Sequence, residues 1–127
     1  MKKVAIVDDE KRLAHMLAEL LEGEGYEAFP LTEPKGAVEL ITGWQPDAII
    51  LDILMPEISG WEILKELKAS RTTQHIPVIV HSASPQECQN VVELSRYDDV
   101  SVLPKPWDVD DLLLKVERAI STGPIVG

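Results

Sequence analysis

Five short apolar runs alternate with stretches of helical periodicity, and that alternation limits the fold more than any other property of the chain. The runs cover residues 3–8, 26–30, 47–52, 76–81 and 100–104, and they read as strands. Leu13, Leu17, Leu20 and Leu21 share one face of a first helix, with Met16 beside it, and Gly23 and Gly25 end it. Ala37, Val38 and Ile41 mark a second helix, which Gly43 is expected to close and whose first turn suits Pro34. Ser59-Gly-Trp-Glu62 opens a third with the spacing of a capping box, and Trp61, Ile63, Leu64 and Leu67 supply its apolar side. Ser84-Pro-Gln-Glu87 opens a fourth in the same way, with Cys88, Val91, Val92 and Ser95 inward. Asp108 and Asp111 begin a fifth, where negative charge favours the helix N-terminus, and Leu112, Leu113, Val116, Ala119 and Ile120 follow.

Strands separated by helices need crossover connections, and these give a parallel sheet covered by helices on both faces. The expected class is therefore α/β, a doubly wound sandwich. The first, third and fourth runs are almost wholly apolar, as strands covered on both faces must be. The second is more polar and suits an edge. A length of 127 residues fits one domain, placed here at residues 1–121 with a short tail at 122–127 and no output domain after it.

The net charge of −10 argues against a direct nucleic-acid surface or an anionic membrane as partner, since either would need a basic patch. The single cysteine, Cys88, excludes an internal disulfide and fits a reducing compartment, so a cytoplasmic location is expected. No run approaches the roughly 20 apolar residues of a membrane span, nor does the N-terminus carry the apolar core of a signal peptide.

The chemistry gathers at the strand ends. Asp8 and Asp9 follow Val4-Ala-Ile-Val7, Asp52 ends the third run, His81 and Ser82 end the fourth, and Lys105 follows the fifth. In an open parallel sheet those ends share one edge, where ligands of such folds bind. Two carboxylates about 4 Å apart repel by roughly 4 kcal/mol at an effective dielectric near 20, so three of them call for counter-charge. Lys105 supplies one positive charge, and an oxygen-only donor set suits Mg²⁺ for the rest. No His or Cys has zinc-like spacing. An aspartate beside a metal with open positions invites phosphoryl chemistry, in which the carboxylate is the nucleophile.

These residues resemble the receiver domain of response regulators, the phospho-acceptor module of two-component signalling. The matching pieces are Val7-Asp8-Asp9-Glu10, Leu51-Asp52-Ile53-Leu54-Met55-Pro56, Ser59-Gly60, Ser82-Ala83 and Lys105-Pro106, in the family's order and spacing across nearly the whole chain. The resemblance implies a flavodoxin-like (βα)5 fold with strand order 2-1-3-4-5. It implies that Asp52 becomes an aspartyl-phosphate and that Asp8, Asp9, Asp52 and the backbone carbonyl of Leu54 hold Mg²⁺. Ser82 and Lys105 would hold phosphoryl oxygens, with Ser82 coupling them to the fourth helix.

The implied partners are a histidine kinase or phosphotransfer protein as donor and a downstream protein or attached output domain as receiver of the signal. A homodimer through the fourth and fifth helices is left to a size measurement. Such a domain phosphorylates and dephosphorylates itself but is not a turnover enzyme. The chain departs from the family at Val102, where the family usually carries an aromatic that turns inward on phosphorylation. An apolar Leu54 offers no side-chain help to hydrolytic water, so the phosphoryl group is not expected to be especially short-lived.

Three other readings compete. One is the receiver portion of a longer, transcriptional regulator. Another is an aspartate-nucleophile phosphohydrolase, but Ile53-Leu54 follows Asp52 where those enzymes place a second, acid–base aspartate. A nucleotide or flavin binder would show Gly-x-Gly-x-x-Gly or Gly-x-x-x-x-Gly-Lys, and neither occurs. His81 beside Ser82 is no Ser–His pair, because neighbouring strand residues point to opposite faces.

Overall fold

A strand covered on both faces has to be largely apolar, and the strands inside the sheet are so apart from Lys3 at the start of β1, Asp52 at the end of β3 and His81-Ser82 at the end of β4. The computed structural model describes residues 1–53, 55, 57–82, 97, 99–104 and 108–121. Along the chain these form β1 (Lys3–Val7), α1 (Lys11–Gly23), β2 (Glu27–Leu31), α2 (Ala37–Trp44), β3 (Ala48–Asp52), α3 (Gly60–Ala69), β4 (Val78–Ser82), β5 (Val100–Pro104) and α4 (Val109–Ser121). The five strands make one parallel sheet in the order β2-β1-β3-β4-β5, the order that the resemblance implies. β2 lies at an edge, and its alternating exposed positions explain its more polar sequence.

Strand alternation sorts the core into two layers. Ala5, Val7, Ile49, Leu51, Val78 and Val80 face α2 and α3 and pack on Ile41, Ile63, Leu64 and Leu67. Val4, Ile6, Ile50, Ile79 and Leu103 face α1 and α4 and pack on Leu17, Leu21, Leu112 and Val116. Each such side chain contributes roughly 1.5–3 kcal/mol by leaving water, so both layers stabilise the sheet strongly.

The sequence reading needs correction in α2. Gly43 does not end that helix: it stays helical, the helix runs on to Trp44, and Gln45 takes the left-handed conformation beyond it (φ 53°). The Gln45 side chain fixes that exit by donating to the carbonyls of Thr42 and Thr72 at 3.0 and 2.9 Å. Pro34 lies in a turn before the helix, whose N-cap is Gly36 at φ 90°. At the start of α3, Ser59 does cap, but its hydroxyl accepts from the Trp61 N–H at 3.2 Å instead of that of Glu62.

The end of α3 is tied down by polar contacts. The buried Thr73 hydroxyl donates to the Leu67 carbonyl at 2.6 Å. Lys68 Nζ reaches the carbonyls of Gln74 and Ile76 at 3.0 and 2.8 Å and Asp99 Oδ2 at 2.8 Å. Burial lowers the Lys68 pKa from its ordinary value, while Asp99 acts the other way. The fourth helix expected at 84–95, Cys88 and the tail at 122–127 lie outside the described residues.

Candidate functional site

The register of the central strands decides which side chains meet. Val7 pairs with Leu51, Leu51 with Val80, and Val80 with Val102. That row belongs to the α2–α3 layer, and Val102 is half-buried in it. Ile6 pairs with Ile50, and Ile50 with Ile79, in the α1–α4 layer. Two residues further along each strand stand Asp8, Asp52 and His81, and alternation puts them on that same α1–α4 face. Asp52 and His81 are direct register partners.

The expected carboxylates do come together. Asp8, Asp9 and Asp52 each bring an oxygen within 4.8 Å of the others. Asp8 is 1% exposed and Asp52 5%, while Asp9 is half-buried. At such distances each pair of ionised groups repels by roughly 3–4 kcal/mol at an effective dielectric near 20, and burial adds several kcal/mol per ion. A donor set of three close, partly buried carboxylates fits a hard divalent cation such as Mg²⁺, which relieves both costs.

Backbone geometry holds the cluster in place. The Asp8 N–H donates to the Leu31 carbonyl at 3.1 Å, which extends the β1–β2 ladder one residue past β1. Its side-chain Oδ1 accepts from the Glu10 N–H at 2.9 Å, an Asx turn that leads into α1. Asp8 and Asp9 are therefore not the helix N-cap, a position that Glu10 occupies. Beyond Asp52, the Ile53 N–H donates to the His81 carbonyl at 3.3 Å and the Gly60 N–H to the Ile53 carbonyl at 3.0 Å. The last bond presses the first turn of α3 onto the strand that carries Asp52. A β-carbon on Gly60 would collide with the Asp52 carbonyl oxygen and lie 2.7 Å from the Ile53 Cα. The need for glycine at position 60 is a need for space, and the motif reading gave it no such reason.

Ser82 ends β4 opposite Pro104, one residue past His81. The Ser82 side chain, Leu54 and Lys105 lie outside what the structure describes. His81 was set aside as a partner for Ser82. It is instead fully buried with its Nε2 3.6 Å from Asp8 Oδ2.

Comparison with known proteins adds to this geometry. A family model for the response regulator receiver domain matches residues 4–117. The regulatory protein AtoC of Escherichia coli (strain K12) is 33% identical over 120 residues, which are 94% of this chain and 25% of that protein. The chemotaxis protein CheY4 of Vibrio cholerae superposes with a TM-score of 0.81 at 26% identity, covering 94% of this chain and 98% of that one. NtrX from Brucella abortus superposes with a TM-score of 0.81 at 27% identity, covering 94% of this chain but 27% of that one. The chain thus spans about a quarter of AtoC and of NtrX.

Proposed function

The chain belongs to the response regulator receiver family, a signalling domain, and on that premise we propose that Asp52 is its phosphoryl acceptor. The observation that carries the proposal is the convergence of Asp8, Asp9 and Asp52 within 4.8 Å at the ends of adjacent strands. The donor is a phosphohistidine on a histidine kinase or phosphotransfer protein. A carboxylate oxygen of Asp52 forms the new P–O bond as the P–N bond breaks, and the released imidazole takes up a proton. The product is an aspartyl-phosphate.

Asp8, Asp9 and Asp52, with the Leu54 carbonyl, would hold Mg²⁺, which supplies positive charge for the transferring oxygens. Asp8 is kept in place for this by the Glu10 N–H at 2.9 Å, and Asp52 by the central strand it ends. Ser82 and Lys105 contact the remaining phosphoryl oxygens. Once formed, the acyl phosphate changes which proteins the domain binds, without multiple turnover on phosphoesters. Among the described residues no helix is long and apolar enough to cross a membrane.

The test is a mass measurement after incubation with Mg²⁺ and a small-molecule acyl phosphate. One phosphoryl adduct per chain, absent in Asp52→Asn and absent with chelator, is the expected result. Steady release of phosphate from many phosphoesters would refute it in favour of a hydrolase. The coverage of AtoC and NtrX supports a second reading, a receiver within a longer regulator whose output is an attached domain. A phosphotransfer profile against candidate histidine kinases would identify the donor in either case.

A further inference from the structure

We propose that His81 is a positioning residue for the acidic cluster, its ring fixing the orientation of the Asp8 carboxylate for metal binding. This inference rests on the reading of the cluster as a Mg²⁺ and phosphoryl site, but on a residue that reading does not use.

Three observations converge on it. First, β4 reads Val-Ile-Val-His-Ser, and His81 is fully buried in the row that begins Ile6, Ile50 and Ile79. An apolar side chain is the ordinary occupant there, since burying an imidazole costs free energy unless its polar edge is used. Second, that edge faces the cluster: Nε2 is 3.6 Å from Asp8 Oδ2, and His81 is the register partner of Asp52. The separation is too long for a direct hydrogen bond. It is short enough for a ring N–H to attract a carboxylate strongly away from bulk water. Third, Asp8 is gripped from its other oxygen as well, with Oδ1 on the Glu10 N–H at 2.9 Å. The backbone contact fixes one oxygen and His81 fixes the rotation about it.

Partners behind a metal-binding carboxylate or imidazole typically change metal affinity by about 10–100-fold, because a wrongly turned ligand must first be reoriented. In this proposal His81 acts through Asp8, the carboxylate its Nε2 approaches at 3.6 Å. It should therefore alter the Mg²⁺ concentration needed for reaction and leave the rate at saturating Mg²⁺ nearly unchanged.

The experiment compares the whole chain, metal-free at the start, with His81→Leu and His81→Gln. Mg²⁺ is titrated calorimetrically, and adduct formation from an acyl phosphate is followed across Mg²⁺ concentrations. His81→Leu is expected to bind Mg²⁺ about tenfold more weakly, with an unchanged or higher metal-free melting temperature. His81→Gln keeps a side-chain N–H donor and should recover most of the affinity. Should His81→Leu not fold, His81→Met takes its place as the apolar variant.

Equal Mg²⁺ affinity in the folded apolar variant and wild type overturns the proposal. So does a glutamine variant no better than the apolar one, or a loss that persists at saturating Mg²⁺. If wild type itself binds no Mg²⁺ and forms no adduct, the reading of the cluster fails and this inference with it. If wild type does both, only the role of His81 is in question.

Discussion

Replacing Gly60 with alanine would drive a methyl group into the backbone that carries Asp52, the proposed acceptor. The new β-carbon would overlap the Asp52 carbonyl oxygen and sit 2.7 Å from the Ile53 Cα and 3.0 Å from the Asp52 carbonyl carbon. Comfortable contacts begin at about 3.5 Å, so something has to retreat by on the order of 1 Å. β3 cannot, because it is hydrogen-bonded to β1 on one side and β4 on the other. The first turn of α3 must move instead, which weakens the 3.0 Å bond from Gly60 N–H to the Ile53 carbonyl and disturbs Ile63, Leu64 and Leu67. Overpacking of this kind costs about 1–3 kcal/mol. The helix propensity gained from alanine is at most about 1 kcal/mol in a helix interior and smaller at the first helical position. At about 4 °C per kcal/mol for a chain of this length, the melting temperature should fall by about 4–12 °C. Circular dichroism on the metal-free protein measures it, with Gly43→Ala as the control. Gly43 is helical with nothing within 4 Å of a built β-carbon. Alanine there should stabilise by about 0.5–1 kcal/mol. A Gly60→Ala protein that melts at or above wild type would refute the steric reasoning. So would an unchanged adduct rate in a protein that melts lower, since the displaced element abuts Asp52.

Other outcomes follow from the same geometry. Asp52→Asn removes one of three close carboxylates and should raise metal-free stability by on the order of 1–3 kcal/mol while shrinking the Mg²⁺-induced rise in melting temperature; a destabilised variant in chelator would contradict this. Lys68→Met should cost about 1–3 kcal/mol in a denaturant titration, because it strips the partner from Asp99 and from two loop carbonyls. Thr73→Val leaves the Leu67 carbonyl without its 2.6 Å donor, and a loss of about 1–2 kcal/mol is expected by the same titration.

How much of this was legible in the sequence depends on the range of the interaction. The apolar runs and their acidic ends could be read because a covered parallel strand leaves a local composition, and Asp52 breaks it at the strand's end while still buried. Gly43 misled because glycine is favoured beyond a helix end but not confined to it; here the end is set by Gln45 and by Thr72, 27 residues away. The Lys68–Asp99 pair joins residues 31 apart and leaves no periodic trace. His81 is the instructive case. Alternation along β4 was read as separating it from Ser82, and the same alternation places it with Ile79 on the inner face. Its approach to Asp8 also needs the register across β1, β3 and β4, which no single strand encodes.

Burial of Asp8 and Asp52 opposes folding, and the isoleucine row one step below them helps to offset it. The carboxylates stand at the ends of β1 and β3, and the isoleucine row spans those strands and β4, so the charge state of the cluster is coupled to the stability of the central sheet. A cation that binds only the folded protein stabilises it by about 2.7 kcal/mol at a hundred times its dissociation constant. That is close to the repulsion of roughly 3–4 kcal/mol within one carboxylate pair. Loading the cluster should therefore protect the backbone amides of β1, β3 and β4 from hydrogen exchange more than those of β2, which lies at the edge. Uniform protection across all five strands would mean that the sheet opens as one unit and that the cluster exerts no local hold.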